Sequence, residues 1–319
     1  MSVAKTGYAI NYSSKTITIY YSIKIEMVLI PAGTFIMGSP GSEPESNYYR
    51  ETQHSVTLTK SFYMGKYEVT QEQWKAVMGK TIVEQQALSG SGTTYDYGRG
   101  DNYPIYWVSW YDAIVFCNKL SIMKGLNPVY SIGGSTDPAN WGPVPVYYAN
   151  ATWDAAVMDK SKNGYRLPTE EEWEYACRGD YPNKATEKNT KPFGIGDGTK
   201  MTSGMANFYC NKSYDLALSG EYDAGGTYLD KTTAVGSYAP NNYGLYDMHG
   251  NVYEYCWDWY YNGPGGDDMG SVRIMRGGGF DQSGKGLRSA FRDSFLDPAN
   301  RFNYSIGFRV VRFSDDGAH

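Results

Sequence analysis

Two long stretches of this chain carry no helical or strand periodicity, and they constrain its fold more than any other feature of the sequence. Residues 126–163 and 180–235 consist largely of polar and turn-forming residues with few apolar runs. Loops of this length are uncommon inside a compact chain unless function or bound ions hold them. The 37 glycines permit irregular backbone, and the 31 tyrosines supply rigid amphipathic contact area. The sequence therefore predicts few helices, short strands and long ordered loops.

The strand patterns lie near the start of the chain. Residues 15–30 alternate apolar and polar side chains and are rich in β-branched and aromatic types, which predicts N-terminal strands. Shorter strand patterns occupy residues 34–37, 55–59 and 63–69. Because no internal repeat and no compositional break marks a linker, residues 1–319 are expected to form one domain.

Three short helices have clear start signals. Thr70, Ser109 and Thr169 each precede residues with helical apolar spacing, and Gln73 completes a capping-box pattern with Thr70. Gly179 is placed to end the third helix. Helices and strands together predict an α+β fold.

Composition excludes several classes of function. The net charge is −5 without a polybasic run, so no nucleic-acid partner is expected. Three histidines are a thin supply for metal or acid–base chemistry. No apolar span approaches 20 residues, so no transmembrane helix is expected. The first residues lack the apolar stretch of a signal peptide, which fits either a cytosolic protein or a chain cut after its export signal.

The four cysteines show neither a CxxC pair nor zinc-ligand spacing. Cys117 and Cys177 lie within helical patterns beside apolar neighbours, which predicts buried thiols. Whether Cys210 and Cys256 pair is left open by the sequence.

An ordered set of motifs runs through most of the chain. The segments are 30–39 (IPAGTFIMGS), 67–70 (YEVT), 108–113 (VSWYDA), 165–176 (YRLPTEEEWEYA), 244–254 (GLYDMHGNVYE), 276–280 (RGGGF) and 306–310 (IGFRV). Together they resemble the formylglycine-generating-enzyme, or sulfatase-modifying-factor, domain family from about residue 26 to residue 312. The resemblance implies a C-type-lectin-like fold with a small twisted sheet, two flanking helices and much irregular chain.

Long arginine side chains recur within and beside these motifs. Guanidinium groups commonly tie irregular carbonyl groups and carboxylates together. We therefore interpret as structural clamps Arg166, Arg276, Arg288, Arg292 and Arg309.

The resemblance also bears on catalysis. Oxidases of this family bind copper through a close pair of cysteines after an Arg-Gly-Gly-Ser motif, and thiolates suit Cu(I). Here residues 277–292 contain no cysteine, and Gly279 replaces the motif serine. We therefore expect no formylglycine synthesis and no required cofactor. An enzyme of the family with altered, non-copper chemistry is the alternative.

Another branch of this fold is diversified by retroelements, which rewrite a C-terminal segment between fixed frame residues. The frame of that branch matches this chain at 276–278, 287–290, 292, 297–301 and 306–309, which makes residues 279–305 the candidate variable region. Chemically mixed side chains fill the intervening positions, as in an interaction surface. The predicted ligand-binding residues are Asp281, Gln282, Ser283, Lys285, Phe291, Asp293, Ser294, Phe295, Leu296, Phe302, Asn303 and Tyr304.

The resemblance further implies a calcium site in the motif at residues 244–254. Its ligands would be the carboxylates of Asp247 and Glu254 and the carbonyl groups of Gly250 and Val252. Hard oxygen ligands from one short loop suit Ca²⁺. The alternative is that Asp247 and Glu254 accept hydrogen bonds from backbone and arginine groups without a metal.

These observations predict a non-catalytic receptor or adhesin displayed at the cell surface. Its partner would be a protein or glycan on another cell, bound by a pocket that varies on an invariant frame. The resemblance implies a lipid anchor supplied by a segment outside this sequence.

Overall fold

The computed structural model describes residues 9–11, 16–18, 23–47, 49–90, 95–179, 190–260, 271–294, 298–301 and 303–313. The helices are α1 (Gln71–Met78), α2 (Ile82–Ala87), α3 (Trp110–Met123), α4 (Ala151–Asp154) and α5 (Glu170–Arg178), with 3₁₀ helices at Pro138–Asn140, Leu216–Leu218 and Gly284–Leu287. The strands are β1 (Ala9–Asn11), β2 (Thr16–Thr18), β3 (Met27–Ile30), β4 (Gly33–Met37), β5 (His54–Leu58), β6 (Phe62–Gly65), β7 (Tyr130–Ser131), β8 (Val157–Met158), β9 (Lys200–Met201), β10 (Lys212–Asp215), β11 (Gly220–Asp223), β12 (Tyr253–Trp259), β13 (Arg273–Arg276), β14 (Ile306–Gly307) and β15 (Val311–Phe313).

The strands form small sheets of two or three members. The strand orders are β1-β2, β4-β5, β7-β8, β11-β10-β9, β15-β6-β3 and β13-β12-β14. Only β12 and β14 pair in parallel, through Tyr253 with Ile306 and Glu254 with Gly307, among the pairs that the described residues form. Few helices, short sheets and long irregular segments give the α+β, C-type-lectin-like architecture that the motifs imply.

The predicted helix starts are confirmed. Thr70, Ser109 and Thr169 each accept a hydrogen bond from the backbone three residues later, in complete capping boxes. Gly179 ends α5 in the left-handed conformation. The same signal at Thr81 and Glu84 starts α2, which the sequence analysis missed because that helix has six residues.

Several strand expectations need correction. Within residues 15–30 the structure has β2 and β3, residues 23–26 form no strand, and residues 15 and 19–22 lie outside the described part. The strand expected over 63–69 ends at Gly65, because Val69 N–H bonds instead to the carbonyl group of Phe308. The two stretches without periodicity contain β7 to β11 and α4, elements of two to four residues that are too short to show a period.

Buried ion pairs tie the irregular chain together, which confirms the structural role expected for the arginines. Glu174 illustrates the pattern, because its carboxylate accepts from Arg178 at 2.6 Å and from Arg276. Burial opposes ionisation there, yet these two guanidiniums hold the pKa of Glu174 below its usual value. The other pairs are Arg166–Glu172, Arg288–Glu43, Arg288–Glu51, Arg292–Glu170, Arg301–Asp112 and Arg309–Glu254.

Across the part of the chain that the structure describes, no helix has the length and apolar character needed to cross a membrane.

Candidate functional site

The segment that follows β13 turns on consecutive glycines. Gly277 and Gly278 have φ of +88° and +76°, in the left-handed region that favours glycine. A Cβ at Gly278 would lie 2.9 Å from the carbonyl oxygen of Gly286, so this turn packs directly against the 3₁₀ helix. The turn leads the chain from β13 into the candidate variable region, residues 279–305.

The frame residues of this region are buried. Leu287, Arg288, Ser289 and Ala290 are at most 2% exposed. The Arg288 Nη1 donates to Glu43 at 2.7 Å and to Glu51 at 2.8 Å, which anchors the segment to the loop between β4 and β5. Because a buried charge that loses its partner is costly, this frame tolerates little change.

The predicted ligand-binding positions have a different environment. Asp281 is exposed, and the other described members are half-buried, namely Gln282, Ser283, Lys285, Phe291, Asp293, Ser294, Asn303 and Tyr304. Phe295, Leu296 and Phe302 lie outside the described residues.

Tyr253 of β12 joins two of these positions. Its hydroxyl donates to Asp293 Oδ2 at 2.8 Å and accepts from the side-chain amide of Gln282. The hydroxyl proton is tightly held, since burial and then the charge of Asp293 raise the pKa of Tyr253 well above its usual range. Gln282 and Asp293 are therefore fixed by the scaffold.

Ser305 joins a second pair of positions beside the first. Its hydroxyl lies 3.1 Å from Asp281 Oδ2 and 2.8 Å from Asn303 Oδ1, and its N–H donates to Asn303 at 2.7 Å. Asp281, Asn303 and Tyr304 are thus brought to one place although up to 23 positions separate them along the chain (281 to 304).

Tyr304 belongs to an aromatic cluster that the sequence analysis did not identify. Its ring stacks on Tyr97 with centroids 4.2 Å apart and planes 18° apart. Trp107 meets it edge-on at 6.0 Å and Phe280 lies at 5.8 Å. We call this cluster of Tyr97, Trp107, Phe280 and Tyr304 the aromatic wall. Tyr97 and Trp107 come from the loop before α3, so the high tyrosine content is the only sequence feature that pointed to it.

Two predicted positions do not join this group. Lys285 lies 3.7 Å from Glu221 of β11 and 3.9 Å from Glu45, so its side chain faces another acidic neighbourhood. Phe291 packs against the main hydrophobic core, and its carbonyl group accepts from Arg276. The predicted residues that the structure brings together at Tyr253 and Ser305 are therefore Asp281, Gln282, Asp293, Asn303 and Tyr304, while Lys285 and Phe291 lie apart.

The candidate calcium loop has features of both alternatives, a calcium site and a set of hydrogen bonds without a metal. Glu254 accepts from Arg309 through both carboxylate oxygens at 2.6 Å and from the Trp173 indole at 2.7 Å. Asp247 Oδ2 accepts from Gly236 N–H at 2.6 Å. These contacts match the hydrogen-bonded alternative.

The negative charges at the same loop are consistent with a bound cation. The carboxyls of Glu68, Asp247 and Glu254 interact with one another and with the single guanidinium of Arg309. Burial, followed by repulsion from Asp247 and Glu254, raises the pKa of Glu68 well above its usual range. No group of three potential metal-ligating side chains closes around a metal position among the described residues. Asp247, Gly250, Val252 and Glu254 would hold Ca²⁺ through oxygen atoms, and this site stays a prediction.

The cysteines offer no accessible thiol. All four are buried and unpaired, so Cys117 and Cys177 are the buried thiols expected, and Cys210 and Cys256 do not form a disulfide. Cys177 Sγ lies 3.6 Å from His249 Nε2. That nitrogen already accepts from Gly194 N–H at 3.0 Å, and His249 Nδ1 donates to the carbonyl group of Leu287.

The pKa values of the two groups make this pair a poor nucleophile and base. Burial raises the pKa of Cys177 to about 12 and lowers that of His249 to about 4. A thiolate is the reactive species, so a thiol with this pKa is inert near neutral pH.

An open groove of about 450 Å³ lies elsewhere, between β5 and the start of α5. Lys60, Lys160, Glu171 and Phe313 contribute to its lining. None of the predicted ligand-binding residues lines this groove.

The fold and these motifs define a class of protein. The chain belongs to the sulfatase-modifying factor enzyme 1-like domain family, whose model matches residues 22–314.

The proteins that this chain resembles carry names that indicate different roles. The solved structure of Treponema denticola variable protein 1 matches with a TM-score of 0.69 and 29% identity, over 92% of this chain and 98% of that one. Chaperone protein LppX of Paenibacillus barcinonensis is 32% identical over 294 residues, 91% of this chain and 90% of that protein. The formylglycine-generating enzyme of Mus musculus is 27% identical over 265 residues, 80% of this chain and 66% of the enzyme.

Proposed function

We propose that this protein is a non-catalytic ligand-binding protein displayed at the cell surface, with a binding site built by residues 279–305 and diversified by a retroelement. The ligand would be a protein or glycan on another cell. One observation carries the proposal: within this segment the frame positions 287–290 are buried, whereas no described member of the predicted ligand-binding set is. Such alternation lets surface chemistry change while the scaffold stays fixed.

The similarity to Treponema denticola variable protein 1 supports a variable surface on this scaffold. The similarity to a protein named as a chaperone, LppX, supports a role outside catalysis. A surface location and a lipid anchor are part of the same proposal.

The enzyme alternative needs reactive groups. Residues 277–292 contain no cysteine, so the thiolate pair of the family's oxidases has no counterpart there. The buried Cys177–His249 contact supplies neither a thiolate nor a base, for the reasons of hydrogen bonding and pKa given above. No described contact favours another chemistry over ligand binding.

A selection experiment tests the proposal. The protein is screened against arrays of surface proteins and glycans, and each ligand found is measured against a triple variant, Asp281→Ala with Ser283→Ala and Lys285→Ala. Asp281 is exposed, and Ser283 and Lys285 are only half-buried, so the three substitutions should cost little stability and this variant should fold. Binding should be lost.

The matched control replaces three exposed side chains elsewhere, with Glu72→Ala, Tyr148→Ala and Lys160→Ala. It should bind as the parent does. If a ligand binds the triple variant with unchanged affinity, or if its binding is lost only in the control variant, the binding site is elsewhere.

A further inference from the structure

The aromatic wall differs from other tyrosines in this molecule. Tyr67 and Tyr246 lie near Lys66, at 5.2 and 5.4 Å from ring centroid to ammonium nitrogen. Tyr260 has Arg50 at 5.5 Å and Arg292 at 5.1 Å. By contrast, the stacked rings of Tyr97 and Tyr304 have no lysine or arginine against them within the described ranges.

Two exposed carboxylates flank this wall. Asp230 Oδ1 accepts from the Tyr228 hydroxyl at 2.9 Å, and Asp281 Oδ2 accepts from the Ser305 hydroxyl at 3.1 Å. Both aspartates act on the same ring, since burial and then the charges of Asp281 and Asp230 raise the pKa of Tyr304. Thr232, two residues after Asp230, donates from its N–H and its hydroxyl to the carbonyl group of Tyr97 at 2.9 and 2.7 Å, so both carboxylates lie beside the same rings.

The two carboxylates of this surface have no ion-pair partner in the part of the chain that the structure describes, although Lys231 follows Asp230 along the chain. Neither Asp230 nor Asp281 forms an ion pair with a described lysine or arginine. Burial and, less strongly, the charge of Asp230 raise the pKa of Asp281, while the hydrogen bond from Ser305 lowers it.

We propose that Tyr97, Tyr304, Asp230 and Asp281 bind the cationic side chain of a lysine or arginine presented by a partner protein. Aromatic faces attract such a cation, and the two carboxylates provide charge-assisted hydrogen bonds to it. The inference rests on the proposed function and narrows its ligand from proteins and glycans to proteins with an exposed basic side chain. Tyr97 and Asp230 lie outside residues 279–305, so they would be fixed parts of a site whose other parts vary.

A random peptide library displayed on phage supplies the probe. The full chain is immobilised, and bound phage are recovered and sequenced. Lysine and arginine should be enriched among the peptides, and replacing the enriched basic residue of one purified peptide by glutamine should weaken its binding about tenfold, which corresponds to about 1.4 kcal/mol.

Variants then locate the contact. Asp281→Asn and Asp230→Asn should each weaken binding of the basic peptide about tenfold. Binding of its glutamine version should stay almost unchanged, because that peptide already lacks the cation with which the carboxylate interacts. Glu72→Gln, which removes an exposed carboxylate on α1, should not affect either peptide. Circular dichroism of each variant checks that the fold is kept.

The remaining outcomes separate this inference from the proposed function. Peptides that need residues 281–285 for binding but carry no enriched basic residue would overturn the inference and support the proposed function. Peptides that bind the Asp281, Ser283 and Lys285 triple variant normally would count against both. A library without any binder would overturn the inference alone, because the proposed function also allows a glycan ligand.

Discussion

At the scale of single residues, Arg288 and Lys285 occupy opposite environments only three positions apart. Arg288 is fully buried between Glu43 and Glu51, at 2.7 and 2.8 Å. Lys285 is half-buried, with carboxylates no closer than 3.7 Å. One residue belongs to the frame and the other to the predicted binding surface, so they should respond differently to truncation.

Arg288→Ala should destabilise the fold by about 3–5 kcal/mol, because it leaves two buried carboxylates without their guanidinium. Lys285→Ala should change the free energy of unfolding by within about 0.5 kcal/mol, because its ion pairs are long and only partly buried. Urea unfolding followed by tryptophan fluorescence measures both. Equal effects of the two substitutions would contradict the division into frame and surface.

The candidate calcium loop gives a second prediction at this scale. If Ca²⁺ binds Asp247 and Glu254, a chelator should lower the melting temperature, and Asp247→Asn should remove that sensitivity while keeping the Arg309–Glu254 pair. Linkage predicts stabilisation of about 2.7 kcal/mol at a hundredfold excess over the dissociation constant. Asp101→Asn, an exposed aspartate elsewhere, is the control. An unchanged melting curve in chelator would favour the hydrogen-bonded alternative.

Some residues could be predicted from the sequence and others could not, for a physical reason. The Thr70, Ser109 and Thr169 caps depend on local pattern, and the buried Arg166, Arg276, Arg288 and Arg309 lie in or beside the family motifs, so these residues were found. The rings of Tyr97 and Trp107, which pack against Tyr304, lie about 200 positions earlier along the chain. No local pattern encodes a contact over that separation.

At the scale of elements, strongly patterned pieces were predicted and short ones were not. The capping boxes fixed the starts of α1, α3 and α5. Strands β7 to β9 have two residues each and are held by partners distant in sequence, such as Tyr130 with Met158. Tertiary contacts decide such elements, and an alternating pattern cannot appear in two residues.

The contact between β12 and the start of α5 predicts a pH dependence. Asp258 Oδ2 accepts from Glu170 N–H at 2.7 Å. Burial, then repulsion from Glu171 and Glu170, raises the pKa of Asp258 to about 7, while Lys160 opposes this only weakly. A carboxyl whose pKa is raised in the folded state binds its proton more tightly there. Its contribution therefore favours folding at pH 4 and is lost as pH rises to about 7.

Asp258→Asn keeps an acceptor for Glu170 N–H and removes the titration. The variant should therefore gain stability relative to the parent when pH rises from 5 to 8. Urea unfolding at both pH values measures the difference. A parent-to-variant difference that stays constant with pH would show that Asp258 titrates normally.

At the scale of the whole molecule, the family scaffold is retained and the reactive thiols of its oxidases have no counterpart in residues 277–292. The purified protein should therefore not convert a cysteine-containing sulfatase peptide to formylglycine, with or without copper. Mass spectrometry of the peptide detects the aldehyde directly. Product above the level of a reaction without protein would restore the enzyme interpretation.

The central claim is that residues 279–305 carry a replaceable binding surface on a fixed frame, and a saturation scan of residues 277–309 tests it most directly. Every variant is displayed on cells and sorted twice, once for protease resistance and once for binding of a selected ligand. We expect substitutions at Asp281 and Ser283 to abolish binding while the protein stays resistant. Substitutions at Leu287, Arg288 and Arg309 should abolish both. If the positions that affect binding are only those that affect folding, the claim is contradicted.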